Sequence, residues 1–185
     1  MKREIRVAGV DDAPPREGKC FVAAPVFRGG SFMDGLMTTE VEVDGSDATE
    51  KLCEMVRASK FEDLRVIMLD GITLAGFNLV DIRTLSEETG LAVVSVLRKK
   101  PDLRRFLKAA ESVRPGAVEI VRRAGPIFGT GTGFGPLWFQ CSGCDRDFAS
   151  GVIKLTCVRS AYPEPLRVAH MIATGVVLGE SRGRA

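Results

Sequence analysis

The chain has 185 residues, of which 45% are hydrophobic and 27% are charged, and its formal net charge is +2. These values are ordinary for one globular domain. A net charge this small excludes nucleic-acid binding through overall charge alone. A nucleic-acid partner would therefore need a local basic patch. No apolar run approaches the ~20 residues of a membrane span, and the five cysteines lack framework spacing, which favours a reducing compartment. We therefore expect a cytoplasmic protein.

The first third of the chain predicts three strands and one helix. Apolar runs and period-two alternation mark the strands, and apolar residues spaced by three and four mark the helix. The predicted bounds are 5–10, 20–27 and 31–43 for the strands and 48–59 for the helix. Asp11 and Asp12 follow the first strand, and because neighbours on a strand face opposite ways, only one can point into a given site. We choose Asp11; the alternative is a strand stopped by polar residues before a Pro-Pro turn.

Two further acidic turns follow predicted strands. The short apolar run 64–69 predicts a central strand covered on both faces, and Asp70-Gly71 ends it. Ligands of open α/β sheets gather at the carboxyl ends of strands, so Asp70 is a candidate metal ligand or base; the alternative is a turn aspartate bonded to the next amides. Asp44 and Asp47 lie between the third strand and the first helix, where helix capping accounts for at least one member of the cluster.

The remaining elements alternate between helices and strands. We expect helices over 78–89, from 101 to about 110, over 145–158 and from a start at 162–165, and strands over 91–97, 118–122 and 136–140. The glycine-rich segment 125–135 predicts a mobile loop or hairpin tip, not a dinucleotide site. Arg98, Lys99 and Lys100 follow the strand 91–97, where they would meet phosphate or form a solvated loop.

Cysteine and histidine define no site by themselves. Cys141 and Cys144 form one Cys-x-x-Cys pair, which cannot complete a four-ligand zinc site. We interpret them as small buried residues at a strand–helix junction, with a redox dithiol as the alternative. His170 is the only histidine and lies within an apolar helix pattern. We interpret it as a packed core residue, with a catalytic base as the alternative.

Carboxylates at strand ends predict a metal site. If the first strand lies beside the strand 64–69, Asp11 and Asp70 meet at one edge of the sheet, and their mutual repulsion favours a bound cation. Mg²⁺, or Mn²⁺ in its place, binds few carboxylates together with waters and phosphate oxygens. Two such ions ~4 Å apart can activate water and stabilise the leaving oxygen of a phosphodiester. That chemistry needs no histidine, which this chain almost lacks.

Several runs resemble one family over nearly the whole chain. The family is mainly archaeal and is catalogued as domain of unknown function ninety-nine, also labelled endonuclease dU. It is distantly similar to endonuclease V, a Mg²⁺-dependent enzyme of ribonuclease H-like fold that cuts nucleic acid beside deaminated bases. The matching runs are GVDD at 9–12, VDGSDAT at 43–49, LDGI at 69–72, GFNLVDI at 76–82 and PEPLRVAH at 163–170. The resemblance implies a single α/β, ribonuclease H-like domain over 1–185, with a mixed central sheet and helices on both faces.

The resemblance to endonuclease V also implies a metal site formed by Asp11, Asp47 and Asp70. Asp11 matches the aspartate of its Val-Asp motif, and Asp70 matches the metal-binding aspartate of its Asp-Gly motif. Asp47 is the best match for its metal-binding glutamate, with Asp44 as the substitute. These three aspartates would hold the metal and the attacking water.

Substrate-binding positions follow from the same resemblance. Arg98 falls where endonuclease V has a lysine, and Arg167 belongs to a run that resembles its Pro-Glu-Pro-Thr-Arg segment. With Lys99, these side chains would meet phosphate. Cys144 falls where endonuclease V has an active-site histidine, so it is expected beside the substrate.

The sequence thus favours a metal-dependent nuclease acting on deaminated or single-stranded nucleic acid, with DNA favoured over RNA. One alternative is a nucleic-acid-binding module of the same fold without catalytic activity. A thiol redox protein acting through Cys141 and Cys144 is the other. The sequence predicts no membrane partner and leaves a homo-oligomer open.

Overall fold

The computed structural model describes residues 3–183, which fold around one mixed sheet. Its strands are β1 (Arg6–Asp12), β2 (Lys19–Arg28), β3 (Phe32–Glu42), β4 (Leu64–Asp70), β7 (Ala92–Leu97), β8 (Phe128–Thr132) and β9 (Gly135–Ser142), and a separate short pair consists of β5 (Thr73–Leu74) and β6 (Asn78–Leu79). Over the described range the main sheet has seven strands in the order β3-β2-β1-β4-β7-β9-β8. β1, β4 and β7 are parallel at its centre, and the outer pairs are antiparallel.

Helices cover both faces of this sheet. They are α1 (Ala48–Arg57), α2 (Ile82–Thr89), α3 (Leu103–Val113), α4 (Ala117–Arg123), α5 (Arg146–Thr156) and α6 (Glu164–Leu178). Side chains of α1 to α4 form one buried core with the sheet, and side chains of α5 and α6 form a second core on the other face. Within residues 3–183, none of these helices combines the length and apolar character needed to span a bilayer.

The central strands divide their side chains between the two cores. Val7 and Met68 pack in the core of α5 and α6, whereas Val10 and Leu69 pack in the core of α1 to α4. Alternate residues of a strand point to opposite faces. Asp11 and Asp70 therefore emerge on the same face of the sheet, the one that α5 and α6 cover.

Two predicted segments have a different structure. The segment 118–122, expected as a strand, lies in helix α4, where Ala117 and Val121 are buried four residues apart. Its run of branched apolar residues favours a strand, but the spacing of the buried pair is helical. The helix expected over 78–89 begins only at Ile82, because the Asp81 carboxylate accepts hydrogen bonds from the amides of Arg83 and Thr84 and so caps it there.

The glycine-rich segment is more ordered than its composition indicates. It contains strand β8, which pairs with β9 through a tight turn between Thr132 and Gly135. The ring of Phe128 packs against that of Phe139 with centroids 5.7 Å apart. The segment is thus a hairpin, as one of the two expectations had it, and its first strand is anchored in a buried core by an aromatic pair.

Candidate active site

The parallel pairing of β1 with β4 brings two aspartates to one edge of the sheet. Val10 lies opposite Leu69, so the following residues, Asp11 and Asp70, leave neighbouring strands side by side. Asp12 takes the other direction, and its Oδ2 accepts a hydrogen bond from the amide of Ala75 at 2.9 Å. The edge formed by the carboxyl ends of β1, β4 and β7 therefore carries a carboxylate pair.

Asp11 is buried in a setting that opposes its ionisation. It is 8% exposed, and burial together with the charge of Asp70 raises its pKa to about 6. Two contacts lower this pKa: the amide of Asp12 donates to Oδ1, and His170, whose Nδ1 lies 2.9 Å from Oδ2, acts electrostatically. Close, partly desolvated carboxylates of this kind are typical of functional sites.

Helix α6 delivers His170 because it lies directly on β1. A Cβ at Gly9 would come within 2.3 Å of the carbonyl carbon of Pro165, so only glycine allows the two backbones to approach this closely. Further along α6, His170 reaches Asp11, while its Nε2 lies 3.0 Å from the carbonyl oxygen of Arg182.

The interpretation of His170 as a packed core residue is therefore wrong. Its side chain is 24% exposed and contacts Asp11 of the acidic pair. The apolar pattern of α6 concealed this, because His170 lies between Ala169 and Ala173, which are both buried. The signal that was present is its position in the PEPLRVAH run, one of the runs that carried the family resemblance.

Tyr162 and Arg98 lie at the same edge, and sequence reasoning gave no role to the tyrosine. The guanidinium carbon of Arg98 is 3.9 Å from the centre of the Tyr162 ring, a cation–π contact. Tyr162 is 6% exposed, and among residues 3–183 its buried hydroxyl has no hydrogen-bond partner. The pKa of this hydroxyl is raised mainly by burial and, to a lesser extent, by the charge of Asp70. Lys99, the next residue after Arg98, is exposed.

Asp47 is engaged elsewhere, so the structure does not assemble the expected set of three aspartates. Its Oδ1 accepts hydrogen bonds from Nδ2 of Asn78 at 2.6 Å and from the amide of Glu42 at 3.2 Å. Nor does Asp47 cap α1 with its side chain; the Oδ1 of Asn78 accepts the amide of Ala48 instead. Asp44, the substitute, accepts from the amide of Phe77 at 2.8 Å. Both carboxylates thus hold a strand–helix junction together.

The donor atoms at the sheet edge fit a hard divalent cation in kind but form a small set. Over the described part of the chain, no three His, Cys, Asp or Glu side chains are grouped so that they could hold a metal ion. What the edge offers is the carboxylate pair of Asp11 and Asp70, with His170 bonded to the first of them. Mg²⁺ keeps several waters and uses one or two carboxylates, so this pair satisfies its ordinary demand.

Cys144 lies at the opposite edge of the sheet, which corrects its expected place beside the substrate. β9 is antiparallel to β7, with Ser142 opposite Val93 near the start of β7, whereas Asp70 lies opposite Val96 near its end. The turn that contains Cys144 therefore lies at the edge of the sheet opposite the carboxylate pair. Cys141 and Cys144 are partly exposed, and a hydrogen bond from Cys144 lowers the pKa of Cys141.

Arg167 is paired within its own helix. Its guanidinium donates to both carboxylate oxygens of Glu164, at 2.6 and 2.9 Å, and this pairing lowers the pKa of Glu164. Glu164 is 7% exposed, so the pair is partly desolvated at the start of α6. In this arrangement Arg167 stabilises the helix N-terminus, and its expected contact with phosphate stays a prediction.

A small cavity lies on the face of the sheet that α1 to α4 cover, opposite the face on which Asp11 and Asp70 emerge. It has a volume of about 90 Å³, and Gly71, directly after Asp70, is one of its lining residues. Its walls are mostly apolar and include Ile72, Leu97 and Phe106. Gln140 lines it too; this amide is 4% exposed and donates through Nε2 to the carbonyl oxygen of Gly125 at 2.8 Å. The cavity and the carboxylate pair thus lie on opposite faces of the sheet.

Comparison with solved structures shows that this mixed α/β fold is similar to that of endonuclease V. Endonuclease V of Ciona intestinalis, solved in complex with a 24mer DNA containing an inosine followed by a ribo-adenosine, aligns with TM-score 0.63 and 12% identity over 94% of this chain and 86% of that one. A protein of unknown function from Archaeoglobus fulgidus is more similar, with TM-score 0.84 and 38% identity over 93% and 97% of the two chains.

The chain belongs to the endonuclease dU family, whose model matches residues 3–177. Among its relatives is a UPF0215 protein of Methanothermobacter thermautotrophicus, which is 48% identical over 192 aligned positions covering 100% of this chain and 94% of that protein. A second is a UPF0215 protein of Methanopyrus kandleri, 47% identical over 100% and 98% of the two chains. The family expected from the sequence runs is therefore confirmed.

Proposed function

We propose that this protein is a divalent-metal-dependent nuclease that hydrolyses phosphodiester bonds in deaminated or single-stranded nucleic acid, with a role in DNA repair. The observation that carries the proposal is the close pair of Asp11 and Asp70 at the carboxyl edge of the sheet, where His170 binds Asp11. Membership of the endonuclease dU family and the likeness to endonuclease V support a nuclease acting on nucleic acid. The chain as a whole would then be one ribonuclease H-like domain.

In this proposal Asp11 and Asp70 hold Mg²⁺ or Mn²⁺, and Asp47 does not. A bound divalent ion supplies Lewis acidity and lowers the pKa of a coordinated water. Asp11 and Asp70 repel each other when both are ionised, which favours a cation between them. His170 bonds to Oδ2 of Asp11 and so restricts the orientation of that carboxylate.

Substrate binding would fall to the positive side chains after β7. Arg98 and Lys99 are exposed at the same edge as Asp70 and would contact phosphate groups of the substrate. The likeness to endonuclease V, which was solved in complex with DNA containing an inosine, favours a deaminated base as the recognised feature.

The test is cleavage of end-labelled oligonucleotides carrying a single deoxyuridine or deoxyinosine, in single-stranded, duplex and RNA versions. We expect cleavage with Mg²⁺ or Mn²⁺, none with EDTA, and a loss of at least about 100-fold in Asp70→Asn and Asp11→Asn. Asp47→Asn is the matched control and should stay within about threefold of the wild type, because its carboxylate serves the junction with Asn78. Equal rates for Asp70→Asn and the wild type would contradict the assignment.

A second candidate is a nucleic-acid-binding module that lacks catalysis. The observation in its favour is that residues 3–183 present no cluster of three metal-ligating side chains. In that case, the oligonucleotides bind equally well in EDTA and in Mn²⁺, and no cleavage develops. Binding that requires the metal, followed by strand scission, removes this candidate.

A further inference from the structure

Tyr162, the only tyrosine of the chain, carries a hydroxyl group that the fold leaves without a partner. The residue is 6% exposed, and no atom of residues 3–183 makes a hydrogen bond to its oxygen. Burying a hydroxyl without a hydrogen bond is unfavourable, and native structures seldom do so without a functional reason. A phenylalanine would fill the same place in the core without that penalty. The hydroxyl therefore calls for an explanation beyond packing.

Its surroundings indicate what the hydroxyl serves. The ring of Tyr162 contacts Arg98 after the end of β7, and Pro165, three residues further on, lies on Gly9 of β1. Strand β4, which ends in Asp70, lies between β1 and β7, so Tyr162 and Asp70 lie at the same place on the sheet edge. A phenolic hydroxyl is protonated at neutral pH and acts as a donor. Its neighbour Asp70 is an acceptor with two oxygens, and both groups lie at the carboxyl edge of the central strands.

The ring of Tyr162 is held in place on two sides. One face receives the guanidinium group of Arg98, 3.9 Å from the ring centre. The ring is also part of the buried core formed by α5, α6 and the sheet, together with Met68 and Leu166. Pro163 follows directly as the N-cap of α6, and a residue before proline is restricted to extended conformations. A ring held in this way presents its hydroxyl at a fixed point.

We infer that Tyr162 is a positioning residue for Asp70: its hydroxyl donates a hydrogen bond to one carboxylate oxygen and leaves the other oriented toward the ligand. This inference rests on the proposed function, because it takes Asp70 to be a metal ligand. Groups that hydrogen-bond a metal-binding carboxylate fix its orientation, and their removal typically costs about 10–100-fold in metal affinity or activity. Arg98 then acts twice, as a clamp on the ring and as a positive charge near the site.

The first experiment measures Mn²⁺ affinity from the free-ion signal in electron paramagnetic resonance. We expect Tyr162→Phe to bind Mn²⁺ about 10–100-fold more weakly than the wild type. Its Tm should be unchanged or higher, because the variant loses only an unpartnered hydroxyl. Phe139→Leu, which alters a fully buried ring of the same core, is the control; it should lower Tm and leave Mn²⁺ affinity unchanged. Unchanged Mn²⁺ affinity in Tyr162→Phe overturns the inference.

A second measurement does not depend on metal or activity. With tyrosine labelled by carbon-13 at Cζ, the chain gives a single resonance whose position reports hydrogen bonding of the hydroxyl. Asp70→Asn should shift it, and Asp47→Asn should not. If the wild type binds no Mn²⁺, the proposed function fails, and the resonance alone then decides the present inference. A shift in Asp70→Asn supports the contact between Tyr162 and Asp70, and an unmoved resonance overturns it.

Discussion

The fold gives two acidic clusters of this chain opposite surroundings. At the strand–helix junction, Asp44 and Asp47 accept hydrogen bonds from amide groups, and Asn78 supplies the closest of them. At the sheet edge, Asp11 and Asp70 are brought together, and burial and like charge raise the pKa of Asp11 to about 6. The first arrangement stabilises the fold, and the second opposes it. A site that costs stability persists where function requires it, so the partners of an aspartate, rather than its charge, separate the two roles.

The largest effect is expected where the acidic edge depends on the docking of α6. Gly9→Ala would place a methyl group 2.3 Å from the backbone of Pro165, so either β1 or α6 must move. We expect a loss of about 3 kcal/mol or more in the free energy of unfolding, measured with urea, because backbone cannot rotate away as a side chain can.

Gly131→Ala is the matched control for Gly9→Ala. Nothing lies within 4 Å of a Cβ at Gly131, and it also lies in a strand of the sheet. It should change the free energy of unfolding by no more than about 1 kcal/mol. If the two variants are equally stable, α6 does not rest on β1 as described, and the placement of His170 beside Asp11 loses its basis.

The junction cluster is expected to depend most on Asn78. This side chain is fully buried, donates to Asp47 and to the carbonyl oxygen of Glu42, and accepts the amide of Ala48. Asn78→Ala removes all three bonds and leaves buried groups unsatisfied, so we expect a loss of about 2–4 kcal/mol in urea unfolding. Mn²⁺ affinity should be preserved, because the junction is not the metal site. A parallel loss of Mn²⁺ binding in a folded variant would show that the two clusters are one.

The sheet edge was predictable from sequence because its strands are short apolar runs ended by turn residues. The run before Asp70 is such a case, and the alternation along β1 separates Asp11 from Asp12 without any structural knowledge. It had to be assumed that β1 and β4 are neighbours in the sheet, since strand order depends on contacts between distant segments.

The rest of the site could not be predicted for physical reasons that differ from residue to residue. Asn78 serves the junction through three bonds to groups at least 30 positions away, which no local pattern reveals. His170 was concealed by the apolar stripe of its helix, and Tyr162 by its role in starting α6. Cys144 was placed by alignment alone, although β9 is antiparallel to β7 and its end lies at the other edge.

A smaller effect with the opposite sign is expected for Asp11→Asn. The folded-state pKa of about 6 lies above the ordinary value of 3.8, so ionisation of Asp11 costs stability above about pH 6 and costs nothing below about pH 4. The variant should therefore gain about 1–3 kcal/mol at pH 8 in metal-free buffer and gain nothing at pH 4. Urea unfolding at both pH values with EDTA provides the check. A variant that is less stable at pH 8 would show that Asp11 is a structural residue, as Asp47 is.

The smallest effect, and the sharpest use of the comparison, is the same substitution in the other cluster. Asp47→Asn keeps an oxygen that can accept from Asn78 and Glu42 but replaces charge-assisted hydrogen bonds with neutral ones. We expect it to lose about 0.5–1 kcal/mol in urea unfolding at neutral pH, where Asp11→Asn gains. One chemical change thus has opposite signs at two places in one chain. If both variants gain stability, hydrogen-bond partners do not distinguish the clusters, and the choice of Asp11 and Asp70 over Asp47 as metal ligands must be given up.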